Sequence, residues 1–198
     1  MSKIIIDSNV KERTDAILIR EESDFVQLCT VKRVSLSEDK KYYEVEVENE
    51  NGFTNTSRFY LPKNEEDYAT KDKYVMATNI FVRNVANLYR RYAGPTATIE
   101  ANDFVELIEK VIHKITPVLH TKKFYVMFEL NKNDKGIFTR IAGIAPFADK
   151  KEDLIVSRKQ LNLLKEKNGE GVTPDNDAEF MKPTLKSQNT GSKDNLPF

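Results

Sequence analysis

Three strand-like segments each carry a basic residue and an aromatic ring two positions apart. The pairs are Arg58 with Tyr60, Lys123 with Tyr125, and Arg140 with Phe138. Because residues two apart share one face of a strand, each pair places a cation beside a ring. Such surfaces bind single-stranded nucleic acid, since cations follow the phosphates and every base can stack on a ring. The pattern therefore predicts a single-strand binding surface, although aromatic packing and a solvated outer face would use the same residue types.

Further cations lie where they could extend this surface. Arg83, Arg90 and Arg91 belong to a segment with helical periodicity, whereas Lys132 and Lys135 lie in the turn between the fourth and fifth predicted strands. In an oligonucleotide-binding barrel that turn flanks the binding face. We expect these side chains to contact phosphates, although a solvated helix face and a charged hairpin turn would fit as well.

The sequence offers few groups for catalysis or metal binding. It contains one cysteine and two histidines, too few for a zinc ligand set with standard spacing. No glycine-rich phosphate loop and no nucleophile with an adjacent base is recognisable. The carboxylates of Glu44, Glu46 and Glu48 share one strand face, and such a row is usually solvated. We therefore expect a binding protein without enzymatic activity, cofactor or metal.

Charge and cysteine content indicate a soluble protein of a reducing compartment. Lysine plus arginine equal aspartate plus glutamate at 31 each in 198 residues, so the overall charge does not indicate a polyanionic partner. Basic residues outnumber acidic ones between Lys71 and Arg140, which leaves room for a local basic face. The single Cys29 excludes a disulfide framework, and no apolar run approaches ~20 residues. We expect a cytoplasmic location, and the resemblance of the chain's last residues, described below, implies the cytoplasm of a bacterium or of the host of a phage.

Hydrophobic periodicity divides the chain into two groups of strands that flank a helical stretch. Alternation of apolar and polar residues predicts five strands, and a period near 3.6 predicts helices between the third and fourth strands and again near the end. The strands are 25–36, 42–48, 53–61, 123–130 and 137–144; the helical insertion covers about 74–116, and a short helix covers 157–167.

This order of elements predicts a mainly β fold with a helical insertion, namely a five-stranded OB-fold-like barrel followed by a disordered C-terminal tail. The tail is rich in small and polar residues, which cannot bury enough apolar surface to offset the entropy of ordering. The predicted division is an N-terminal arm (1–24), a single-strand-binding domain (25–150), a possible short helix (151–167) and a flexible tail (168–198).

The tail ends in Asp194-Asn195-Leu196-Pro197-Phe198. This ending resembles the C-terminal tip of bacterial and phage single-stranded DNA-binding proteins, in which acids precede Ile-Pro-Phe or a similar triplet. The resemblance implies an oligonucleotide-binding barrel joined to a tail that docks replication, recombination or repair proteins. It assigns partner binding to Asp194, Leu196, Pro197 and Phe198. The chain departs from the family in having a single acid here, preceded by Lys193, so fewer charges would hold a partner.

These observations favour a sequence-tolerant single-stranded DNA-binding protein acting in DNA replication, recombination or repair. Such a chain could also form a homo-oligomer. An RNA-binding or strand-annealing protein would carry the same residues, because only contacts to the 2′-hydroxyl distinguish RNA from DNA. A structural barrel that contacts other proteins and binds no nucleic acid is the third hypothesis.

Deleting Asp194 to Phe198 separates the two roles assigned to the chain. We expect the truncated protein to bind a labelled single-stranded oligonucleotide as tightly as the intact chain or more tightly, because an acidic tip competes with phosphates for basic groups. Binding to replication or repair partners should be lost. Fluorescence anisotropy measures the first effect, and a large loss of oligonucleotide affinity would contradict this division of roles.

Overall fold

The computed structural model describes residues 16–170, which form a mainly β fold. Within this range lie six strands and three α-helices, joined by turns and short 3₁₀ segments. The strands are β1 (Val26–Leu36), β2 (Tyr42–Asn49), β3 (Thr54–Tyr60), β4 (Lys123–Asn133), β5 (Gly136–Ile141) and β6 (Phe147–Ala148); the helices are α1 (Lys71–Ala93), α2 (Phe104–Ile115) and α3 (Arg158–Lys167).

The strands form one antiparallel sheet in the order β3-β2-β1-β4-β5, with β6 also paired to β4. The β2–β3 hairpin closes through a bond from the Asn49 amide to the Phe53 carbonyl (2.9 Å), and Gly52 in this turn has a φ of 79°. This turn fixes the register, so Tyr42 lies opposite Tyr60 and Glu44 opposite Arg58.

A β-bulge in β1 changes which side chains face outward. Val31 pairs with Val47 and Arg33 with Glu46, so Lys32 is the extra residue between them. Val31 and Val34 are both buried although they are three residues apart. Lys32 and Arg33 consequently both lie on the outer side of the sheet beside β2.

The helical insertion covers one side of the core. The side chain of Thr70 caps α1 and that of Asp103 caps α2, each accepting from a backbone amide of the first turn. The α1 helix ends at Gly94, whose φ of 100° suits glycine. Helix α2 buries Ile108, Val111 and Ile115, which recur at helical spacing along one face.

Side chains, and not a backbone ladder, bridge the two edges of the sheet. Asn55 on β3 donates from Nδ2 to the Thr139 carbonyl of β5 (3.2 Å). The Ile141 amide of β5 donates to Ser57 Oγ (2.8 Å), and that hydroxyl donates to Asn55 Oδ1 (2.9 Å). Within residues 16–170 no ladder joins β3 to β5, so the sheet is curled but open. We call this network the β3–β5 seam.

The N-terminal segment and α3 pack on the same domain. Ile17 and Ile19 belong to the core, and the Ile17 amide donates to the Thr54 carbonyl (2.9 Å). Lys167 at the end of α3 donates to the Ile19 carbonyl (2.7 Å). The part of the expected arm that the structure describes is therefore tied to β3 and α3.

The structure confirms a mainly β fold with a helical insertion between β3 and β4. It differs from the predicted barrel in having the short strand β6 and an open sheet edge. No helix of residues 16–170 is long and apolar enough to cross a bilayer. The tip residues Asp194, Leu196, Pro197 and Phe198 lie outside the described residues.

Ser57→Ala tests whether the seam stabilises the fold. Ser57 is only 5% exposed, so its hydroxyl accepts from the Ile141 amide in a buried place. The substitution leaves that amide without its acceptor. An unsatisfied buried donor costs about 1–3 kcal/mol, so the free energy of unfolding from urea denaturation should fall by that amount. Thr56→Val is the control, because it removes an exposed hydroxyl from the neighbouring residue. Equal stability of the two variants would show that the seam contributes nothing.

Candidate nucleic-acid interface

The most exposed aromatic ring of the described residues is Tyr60, on the outer side of β3. Its side chain is 67% exposed. The ring lies edge-on to Tyr42 of β2, with ring centroids 5.6 Å apart and an interplanar angle of 60°. A tyrosine ring in this position costs hydrophobic free energy in water, and it offers one open face to a flat partner.

Arg58 adjoins these tyrosines on the same strand face. Its guanidinium carbon lies 4.7 Å from the centroid of the Tyr42 ring, a cation–π distance. Its Nε donates to Glu44 Oε1 at 2.9 Å, and this hydrogen bond raises the pKa of the Arg58 guanidinium. Arginine is charged in proteins, and the contact with Tyr42 and the hydrogen bond to Glu44 hold this charge beside the aromatic pair.

A cleft of about 290 Å³ opens beside Tyr60 and Arg58. Its other walls come from the loop after β3, from α1 and from the segment after β5, through residues such as Pro62, Tyr68, Ile80 and Gly143. The lining is largely apolar and aromatic. The cleft exists because the seam brings β3 close to the chain that leaves β5.

The three glutamates of β2 form an ion-pair row across the outer side of the sheet. Glu44 pairs with Arg58 of β3, while Glu46 and Glu48 pair with the two cations that the β1 bulge presents. The N–O distances are 2.9, 3.2 and 3.3 Å. We expected the three carboxylates to be solvated. The structure shows that each also pairs with a cation of a neighbouring strand.

On β4 and β5 the predicted cations are also paired. Lys123 lies 3.2 Å from Glu50, and Arg140 donates from Nε to Glu129 at 2.6 Å. Lys132 pairs with Glu166 of α3, whereas Lys135 is exposed in the turn and forms no ion pair within residues 16–170. Phosphate contacts by the three paired cations would have to compete with carboxylates.

The aromatic candidates of β4 and β5 differ from each other. Tyr125 is partly buried and packs against the core, whereas Phe138 is 43% exposed. Lys123 lies opposite Thr30, and two strands separate β4 from β3. Thr30 lies opposite Glu48, and Glu48 lies opposite Thr54. Lys123 is therefore in the cross-strand row of Thr54, four residues from Arg58. At ~4.8 Å per strand spacing and ~3.4 Å per residue, the two backbones are about 14 Å apart across the sheet and about 14 Å apart along it. The candidates on the sheet therefore do not form one compact patch.

Helix α1 carries the remaining candidates on a different surface. Arg83 and Arg90 are exposed, and neither forms an ion pair within residues 16–170. Arg91 pairs with Asp149, and its side chain is only 21% exposed. These arginines line a groove beside the segment after β5.

The described residues offer little for metal or thiol chemistry. No group of three or more His, Cys, Asp or Glu side chains between residues 16 and 170 is placed to hold a metal ion. Burial raises the pKa of the Cys29 thiol to about 12, so the reactive thiolate is scarce at neutral pH. His113 and His120 are both exposed.

Sequence reasoning missed Tyr42 and the cleft beside Tyr60. The Tyr42–Tyr60 pair could have been found by counting the hairpin register outward from the Asn51-Gly52 turn. The cleft could not, because its walls come from distant segments. No protein-family model and no curated protein sequence matches this chain.

Proposed function

We propose that this chain binds single-stranded DNA through the outer face of β2 and β3, as an oligonucleotide-binding barrel whose last edge is bridged by side chains. The strand order β3-β2-β1-β4-β5 and the helices between β3 and β4 support this assignment. In such barrels the strand 2–3 face binds oligonucleotides, flanked by the loops between strands 1 and 2 and between strands 4 and 5.

The observation that carries the proposal is the exposed ring of Tyr60 next to Arg58 and an aromatic-lined cleft. A base stacks on the open face of Tyr60, because every base has a π-face whatever its sequence. The cleft is large enough to accept a flat group beside that ring. A stacking site of this kind tolerates sequence, which suits a protein that coats single strands during replication, recombination or repair.

Arg58 supplies the phosphate contact of this site. Exposed ion pairs contribute little to stability, so a phosphate can displace Glu44 from Arg58 at small cost. The carboxylates of the ion-pair row repel the DNA backbone at the same time. Binding at this site is therefore moderate and depends on salt, because each neutralised phosphate releases counterions. The terminal segment would recruit protein partners, as its resemblance implies.

Tyr60→Ala tests the stacking site. Removing a ring that stacks a base costs about 1–3 kcal/mol, equivalent to a roughly 5- to 150-fold weaker Kd. Fluorescence anisotropy of a labelled dT oligomer measures this loss. Tyr60→Phe is the matched control, because it keeps the ring and should bind nearly as tightly as the unaltered chain.

Unchanged affinity of the alanine variant would refute the assignment of Tyr60. Absence of any oligomer binding by the unaltered chain at low salt would overturn the proposed function itself. A matched rU oligomer in the same assay shows whether the chain discriminates DNA from RNA, and tighter binding of rU would favour the RNA-binding hypothesis.

A further inference from the structure

The groove along α1 holds two cations that no carboxylate of residues 16–170 neutralises. Arg83 and Arg90 are seven residues apart, so they lie on one side of the helix, about 10 Å apart along its axis. The groove has a volume of about 380 Å³, and Arg91, Asn87 and Ala145 also line it. On the sheet, by contrast, the outward cations of β1, β3 and β4 each pair with a glutamate.

The opposite wall of this groove is formed by Ala145, in a segment from Gly143 to Phe147 that two asparagines bind to α1. Asn84 donates to the Gly143 carbonyl (2.8 Å) and accepts from the Ala145 amide (2.7 Å). Asn87 donates to the Phe147 carbonyl and accepts from its amide, both at 2.9 Å. Each amide side chain thus satisfies one backbone donor and one backbone acceptor, which ties the segment to the helix by four hydrogen bonds.

The same segment forms a wall of both the Tyr60 cleft and the arginine groove. Gly143 lines the cleft, Ala145 lines the groove, and Ile144 between them is 47% exposed. Ala145 has a φ of 44°, which is uncommon for a residue other than glycine and is often found at functional sites. Only a ridge of about one residue therefore separates the two depressions.

We propose that a single DNA strand leaves the Tyr60 cleft, crosses the ridge at Ile144 and places its phosphates against Arg83 and Arg90. This inference rests on the proposed function. It places the DNA strand over α1 and not across the β-sheet toward Lys123. At duplex spacing, 10 Å spans about three phosphates of one strand, and fewer in an extended strand. The two arginines therefore contact different phosphates, with Ile144 offering an apolar surface between the depressions.

The double variant Arg83→Gln/Arg90→Gln tests this path. A single-strand contact contributes about 0.7 to the slope of log K against log salt concentration, so losing two contacts should make the slope shallower by about 1.4. The same change corresponds to roughly 20-fold weaker binding near 0.1 M salt. Arg83→Lys/Arg90→Lys should keep most of the slope, because it keeps both charges.

The matched control is Arg33→Gln/Lys123→Gln, which removes the same net charge from paired cations of the sheet. We expect a smaller change in slope than in the α1 variant. A larger change would place the strand across the sheet and overturn the inference. The anisotropy titrations use dT oligomers of about 4 and about 16 nucleotides, which bracket the site sizes of such barrels.

Oligomer length separates this inference from the proposed function. The short oligomer can make fewer phosphate contacts, so it should lose affinity in Tyr60→Ala and should lose less affinity in the α1 variant than the long oligomer does. The long oligomer should lose affinity in both. Sensitivity to Tyr60→Ala alone at both lengths would overturn the α1 path and leave the proposed function standing, whereas insensitivity of both oligomers to both variants would overturn the two together.

Discussion

The hydrogen-bonded seam between β3 and β5 is the constraint on which the candidate site depends. A curled sheet with two edges exposes unpaired backbone groups, and here Asn55 and Ser57 satisfy the Thr139 carbonyl and the Ile141 amide. The same contacts bring the C-terminal end of β3, at Tyr60, next to the chain that follows β5. The cleft beside Tyr60 has one wall from each, and the bond from Asn84 to the Gly143 carbonyl holds the second wall against α1.

Ion pairing decides which cations can contact a phosphate without first releasing a carboxylate. The glutamates of β2 form ion pairs with Arg58, Arg33 and Lys32. Because each of these charges has a partner of opposite sign, the sheet face can be strongly ionised without net repulsion. Of the candidate cations in the described residues, Arg83 and Arg90 of α1 and Lys135 of the β4–β5 turn have no carboxylate partner, and only the two arginines share a groove. The basic surface most available to phosphates is therefore helical, while the most exposed stacking ring belongs to the sheet.

Much of the fold could be predicted because its signals are local. Alternation predicted the second strand to within one residue of β2, and the apolar stripe of α2 lies inside the predicted helical insertion. The bulge at Lys32, the short β6 and the ion pairs could not be predicted, because each depends on which strand lies beside which. The spacing of Tyr60 to Arg58 predicted a ring on the binding surface, and Tyr60 is exposed. Tyr125 has the same spacing to Lys123, but its ring is half-buried against the core.

The central claim is that the chain binds single strands in preference to duplex. The most direct measurement is the fluorescence anisotropy of a labelled dT oligomer titrated with the full chain at low and high salt, with unlabelled duplex of equal length as competitor. We expect salt-sensitive binding that duplex does not displace, since bases inside a duplex cannot stack on Tyr60. No binding at low salt, or displacement by duplex as efficient as by single strand, would contradict it.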